Sequence, residues 1–394
     1  MKKKIKPIVA GLCLGGLLLT GCVKEEGNNK TTTEEKESTD IVTTEDGEEV
    51  ESVDAPLGMI ESCELTQLED REIISVSVVG DGETLYVSTC FEDTELAMSV
   101  YEVLRFDYQE PLKGYGEPVV MQWDDDISCI YFTTNQAGTK AYLSVLSENP
   151  DIEDSEESFF LRLAVADIEE NQLKNITLLE GMEETGNQII SAVDEEENIY
   201  YVAEDMETGT LVAKAAYAGE GYIAQELFGE GHVQTAILEE ETEEAGEQEV
   251  MGESGSENQT DMNQEGEAEA ENLEEDADTR KENTVLWEEI INIRSIVKAE
   301  DGVYYFTAPR PKDGVYVIYS TKEQEDGLFA YPELLPKEIN DGVEDKLYCA
   351  VSTSEKYLYY ISSKSTVNED GEFYSKTMLY RVLRENLEET IEEQ

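Results

Sequence analysis

The chain has 394 residues, with 28 Lys and Arg against 92 Asp and Glu and a formal net charge of −64. That balance excludes nucleic acid, whose binding rests on basic residues neutralising phosphates, and it repels anionic lipid headgroups. Hydrophobic residues make up 39%, fewer than an ordinary globular chain carries, which points to a packed domain diluted by disordered segments.

Lys2, Lys3, Lys4 and Lys6 form a basic start, and an apolar run follows over residues 8–19. The run is too short to anchor stably across a bilayer and has the length of a secretory core. It ends Leu19-Thr20-Gly21-Cys22. This tetrad resembles the bacterial lipobox, and the resemblance implies cleavage before Cys22 and a diacylglycerol on its sulfur. On that reading residues 1–21 are a lipoprotein signal peptide, and Cys22 is the lipidation site. The membrane is then a partner, engaged through this anchor from the extracytoplasmic side. Two acyl chains hold a protein stably where one holds it only marginally. Residues 22–55 are mostly Glu, Thr, Ser, Asn and Asp, which predicts a disordered acidic linker with a coil reach of roughly 30 Å.

Beyond the linker come short runs rich in Val, Ile and Tyr, separated by acidic or Gly-containing turns. The clearest stretch is 293–320, where I-R-S-I-V, V-Y-Y-F-T and V-Y-V-I-Y-S are divided by turns holding Asp301-Gly302 and Asp313-Gly314. β-Branched and aromatic residues suit a pleated, half-buried surface, and Asp-Gly supplies the positive φ a tight turn needs. Tyr86, Tyr131, Tyr201, Tyr305 and Tyr360 each precede Val, Phe or Ile and follow such a turn. Before the turns lie strand-like runs at 73–79, 119–123, 188–193, 291–297 and 347–351. Third runs fall at 101–106, 160–165, 211–217, 315–319 and 378–383, and fourth runs are clearest at 175–179 and 224–228.

Where no insertion intervenes, the tyrosines recur every ~45–55 residues, the period of a four-stranded blade. A lone blade cannot bury both faces, so blades stack around an axis, and closing the ring protects their edges. The sequence therefore predicts an all-β fold, a β-propeller over residues 56–394. Five blades are visible, and the interrupted stretch 232–290 has room for a sixth. An open β-sandwich is the competing arrangement. The five tyrosines are read as blade core rather than binding surface. The pattern resembles the Tyr-rich β-propeller lipoproteins of bacteria and, more loosely, the TolB-like propellers.

Two insertions break the pattern, a short acidic loop at 148–158 and a tract of Glu, Gly, Asn, Gln and Ala at 239–283. The second cannot bury enough apolar surface to offset its ordering entropy, which predicts a disordered acidic loop lengthening one hairpin. It reads either as a tolerated surface insertion or as an electrostatic lure for a basic partner.

Chemistry is sparsely signalled. His232 is the only histidine, which excludes multi-histidine metal sites, and no G-x-S-x-G elbow, P-loop or dinucleotide fingerprint is present. Asp124, Asp125 and Asp126 cluster without the spacing of a calcium loop. Cys63, Cys90, Cys129 and Cys349 contain no C-x-x-C pair; three disulfide connectivities are open to them, and buried free thiols are the preferred reading. No catalytic residue, cofactor or metal site is assigned. The expectation is a binding or scaffolding propeller for a cell-envelope protein or glycan. The alternatives are a lipid-anchored glycan hydrolase using channel carboxylates, or an accessory sensor subunit of an envelope complex. An enzyme would gather carboxylates of shifted pKa around one channel, whereas a scaffold would expose an aromatic or apolar patch.

Overall fold

The computed structural model describes residues 60–65, 68, 71–93, 98–123, 127–148, 159–182, 186–205, 209–219, 221–229, 231–234, 283–367 and 373–387. The leader, Cys22, the linker, the turn 124–126 and all but the last residue of the 239–283 insertion lie outside them. No helix of the described residues is long and apolar enough to cross a membrane.

The chain enters through β1 (Glu61–Ser62). Blade 1 follows as β2 (Glu72–Val79), β3 (Thr84–Asp93) and β4 (Met98–Gln109), with the short β5 (Gly114–Tyr115) and β6 (Val119–Val120) both pairing β4. Blade 2 is β7 (Ser128–Thr134), β8 (Lys140–Glu148), β9 (Phe159–Glu169) and β10 (Gln172–Leu178). Blade 3 is β11 (Asn187–Val193), β12 (Ile199–Asp205), β13 (Gly209–Tyr217) and β14 (Tyr222–Glu226). Blade 4 is β15 (Ser295–Lys298), β16 (Val303–Pro309), β17 (Tyr316–Lys322) and β18 (Glu333–Leu334). Blade 5 is β19 (Asp345–Val351), β20 (Tyr357–Val367) and β21 (Phe373–Leu383), and β1 supplies its fourth strand.

That last pairing closes the ring. Glu61 sits opposite Arg381 and Ser62 opposite Tyr380, so the first strand completes the last sheet. Each innermost strand touches the next around the axis, β2 to β7 to β11 to β15 to β19 and back to β2. Among the described residues the fold is a five-bladed propeller, with β11 and β15 in direct contact and no sixth blade between them.

An innermost strand has no sheet neighbour on its axial side, so its backbone groups must bond elsewhere. Short polar side chains of the preceding blade meet them. The Phe132 N–H donates to Ser75 Oγ at 3.1 Å, and the Thr134 N–H to Ser77 Oγ at 3.0 Å. The same device joins Ile190 N–H to Ser144 Oγ at 2.8 Å, Cys349 N–H to Ser295 Oγ at 3.1 Å and Ile73 N–H to Thr377 Oγ1 at 2.7 Å. Blades 3 and 4 also share an aromatic group, with Phe228 4.6 Å from Trp287 and 4.9 Å from Phe329 between ring centroids.

The tyrosine repeat is real: Tyr86 and Tyr305 stand where the sequence places them, and the other three are displaced. Counting pairs inward from the hairpin turn, the third on each second strand is Tyr86, Tyr142, Tyr200, Tyr305 and Tyr359. All five are buried, and they pack in the interfaces between blades. Tyr201 and Tyr360 are the adjacent residues, also buried, on the opposite face of their strands. Tyr131 is a larger departure: it lies on β7, the innermost strand of blade 2, and the true second strand β8 carries Tyr142. The run 119–123, read as an innermost strand, contributes β6 to the outer side of blade 1.

The 239–283 insertion does not lengthen a hairpin either. It falls in the crossover from β14 to β15. Its flanks pair with the outer part of blade 4, through Phe329 N–H to His232 O at 2.8 Å and Leu334 N–H to Asn283 O at 3.0 Å.

Candidate functional site

The axis of the ring is crossed by side chains. Tyr348 on β19 donates its hydroxyl to the Ser191 carbonyl on β11 at 2.5 Å, spanning blades that are not neighbours. It is 1% exposed, and burial pushes its phenol well above the usual range. Tyr348 and Tyr131 both follow a bulge in their strands, where the register shifts by one residue. Equivalent bulges interrupt β2 and β11. A bulge re-aims the side chain that follows it, which is how a tyrosine on a strand reaches the axis.

Two half-buried carboxyls have raised pKa values, and they lie at opposite ends of the ring. Glu72 begins β2; burial raises it, and the Arg294 guanidinium partly offsets the effect. Glu355 sits in the turn after β19; burial raises it, while Arg384 pulls it back. That turn meets the far end of β2, since Gly80 N–H donates to Thr353 Oγ1 at 2.6 Å. At about 3.3 Å per residue along β2, the two carboxyls are separated by roughly 23 Å. A glycosidase pair works at about 5 to 10 Å. Glu72 and Glu355 are therefore too far apart to act on one glycosidic bond together.

The turn end of the ring holds a small cavity of about 110 Å³, lined by Asp194, Glu195, Glu196, Glu300 and Glu355 among others. These carboxylates serve the turns. Asp194 accepts from the Tyr200 hydroxyl at 3.0 Å and from Asn198 N–H at 2.8 Å, and Glu355 holds Arg384 at 2.7 Å. Among the described residues no group of three or more His, Cys, Asp or Glu is arranged to hold a metal ion.

The larger concavity opens between blades 5 and 1 at the other end. It is a cleft of about 730 Å³, walled by the chain leaving β1, the start of β2, the end of β3 and the Ser375–Leu379 part of β21. Leu65, Leu68 and Ile73 give it an apolar floor. The Arg71 guanidinium stacks over the Phe91 ring at 4.3 Å and pairs with Glu102 on β4. Glu64, Glu72 and Glu92 add carboxylates to the walls. This is a ligand-sized site with an apolar base and an acidic margin.

The residues singled out from sequence fall elsewhere. His232 is half-buried, and its carbonyl accepts from Phe329 N–H of blade 4. All four cysteines in the described residues are free; Cys63, Cys129 and Cys349 are buried and Cys90 is half-buried. Burial holds the Cys63 and Cys349 thiols up at about 12, so neither is a thiolate at neutral pH. The preferred reading of free thiols stands. Exposed apolar side chains include two small groups, Tyr108, Leu112, Val119 and Val120 of blade 1 and Tyr217 with Ile223 of blade 3, while Leu178, Ile291, Val343 and Met378 stand apart from them in sequence. Sequence reasoning missed Arg71, Glu72 and Phe91. Nothing marks one Glu among so many acidic residues, and Phe91 stands at a strand end outside the repeat.

Fold and site together define, among the described residues, a five-bladed propeller with a ligand-scale cleft between its closing blades. No family model matches the chain, and no curated protein matches it in sequence. Several solved structures are similar to it at low identity. The catalytic domain of a Coprinopsis cinerea GH62 α-L-arabinofuranosidase is 7% identical with a TM-score of 0.40, over 82% of this chain and 95% of that one. An endo-arabinase from Bacteroides thetaiotaomicron VPI-5482 is 11% identical with a TM-score of 0.37, over 79% and 93%. The tricorn protease is 12% identical with a TM-score of 0.33 over 78% of this chain, which spans only 25% of that protein's length. These likenesses assign no activity. The propeller rests on the sheets and their closure.

Proposed function

We propose that this chain is a membrane-anchored binding protein of the cell envelope. Cys22 carries the lipid, residues 22–55 give reach, and the propeller presents the cleft between blades 5 and 1 to an envelope protein or glycan. The observation that carries the reading is the cleft of about 730 Å³ between blades 5 and 1, with its apolar floor and acidic margin. A concave site with an apolar base and a few polar groups suits recognition. The lipobox tetrad supports the anchor.

Crosslinking in intact cells tests it, with the full chain compared with Cys22→Ala and with a chain lacking residues 239–283. The expected result is one envelope component recovered with the full chain and with the deletion, while Cys22→Ala leaves the membrane fraction. Loss of the partner on deletion moves the function onto the acidic insertion. Release of sugar from envelope glycan by the purified full chain overturns the reading in favour of a hydrolase.

A further inference from the structure

We infer that the cleft between blades 5 and 1 binds an extended basic peptide of a partner protein by adding it as a strand to β21. This rests on the binding-protein reading above and names the partner's chemistry. The argument begins with an incomplete sheet edge. β21 pairs β20 along its whole length, Phe373 to Leu383, but β1 covers only Tyr380 and Arg381 on the other side. Past Ser62 the chain makes one more ladder bond, Cys63 N–H to Leu379 O at 2.8 Å, and then turns away toward β2. Backbone groups of alternate residues in a strand point to the same edge. Since Leu379 O faces β1, the N–H and C=O of Thr377 and Ser375 face the same open side. Among the described residues no strand pairs with them there.

The open edge is also a wall of the cleft, which is lined by Ser375, Thr377 and Leu379. A strand laid along it would continue the line of β1, with alternate side chains over Leu65, Leu68 and Phe91. Main-chain bonds of this kind give affinity, and the flanking walls give specificity. Charge selects the occupant. Glu64, Glu72 and Glu92 line the cleft, and its Arg71 is already engaged by Glu102. Lys376 also lines the cleft, and the three carboxylates outnumber it. The margin therefore favours Lys or Arg. This chain's own segments 22–59, 235–282 and 388–394 are dominated by Asp and Glu, so charge assigns the strand to another protein.

The test uses the full chain and the labelled peptide acetyl-Val-Lys-Val-Lys-Val-Lys-Val-amide, with binding read by fluorescence anisotropy at low salt. Ser375→Pro removes one outward N–H without touching the β20 ladder, and proline is tolerated at such an edge position. The proposal expects saturable binding, at least tenfold weaker in Ser375→Pro. It also expects preference to pass to the Glu-for-Lys peptide in the Glu64→Lys, Glu92→Lys double variant. Equal binding to wild type and Ser375→Pro, or none to either, overturns it. If none is seen while intact-cell crosslinking still recovers an envelope component, only the strand addition fails. If both fail, the binding-protein reading falls with it.

Discussion

Small hydroxyls carry more of this fold than their size suggests. Ser75 is 0% exposed, accepts from Phe132 N–H and donates to Phe132 O at 3.3 Å, so one side chain satisfies both backbone groups of a residue on the next blade. Ser75→Ala leaves both groups buried without a partner, which costs about 1–3 kcal/mol. The expected outcome is a lower urea midpoint with the strand circular dichroism of the wild type. An unchanged midpoint would show that water replaces the hydroxyl. In the sequence, the alternation of β2 reads as one buried and one solvated face, with Ser75 and Ser77 on the wet side. An innermost strand is buried on both faces, so its serines turn toward the neighbouring blade instead. Tyr142 was hidden for a related reason. Its hairpin turn holds Gly138 and Thr139 rather than an acidic cluster, so Tyr131, which does follow one, took its place.

At the scale of single elements, the second and third strands of the blades, β8 apart, were legible because seven to twelve residues of β-branched and aromatic sequence leave a clear pattern. β1 was not. Two residues, Glu61 and Ser62, carry no periodicity, and neither is apolar. Yet this strand closes the ring, helped by Arg381 Nε donating to Glu61 Oε2 at 2.6 Å. The exposed ion pair adds little by itself; the covered edge of β21 and the bond from Cys63 are what closure supplies. A chain lacking residues 22–62 should therefore show faster hydrogen exchange at Leu379 and Arg381, and at the neighbouring amides of blade 1. Blade 3, on the far side of the ring, should keep its protection, because opening is local to the elements that lose contacts. Uniformly faster exchange in every blade would mean that the ring opens as one cooperative unit. The cleft beside β1 was equally invisible from sequence, since it forms where the two ends of the fold meet and depends on residues some three hundred positions apart.

The whole molecule holds a net charge of −64, and self-repulsion of that size destabilises the compact state. Salt screens it, with a Debye length of about 10 Å at 0.1 M against about 3 Å at 1 M. Thermal stability should therefore rise as salt is added at pH 7. Acid acts in two opposed stages. The pKa values of Glu72 and Glu355 are raised in the fold, chiefly by burial. Their stabilising contribution is complete below the unfolded carboxyl pKa of about 4.3 and is lost as pH rises through the folded values. Glu197 and Asp313 are lowered by hydrogen bonds from Lys140 and Arg310. Burial would raise Asp341, but bonds from the Val343 and Glu344 N–H groups outweigh it and lower it. The stability from these three is present above the unfolded values and lost as pH falls through the folded ones. Differential scanning calorimetry should show Tm climbing from pH 7 toward about 5 and falling again below about 4, near the unfolded carboxyl values. Glu72→Gln should raise Tm at pH 7, with the gap closing as the wild-type carboxyl protonates. A Tm that ignores both salt and pH between 7 and 5 would mean the repulsion is dispersed outside the ring, and that the folded blades carry too little of the charge to feel it.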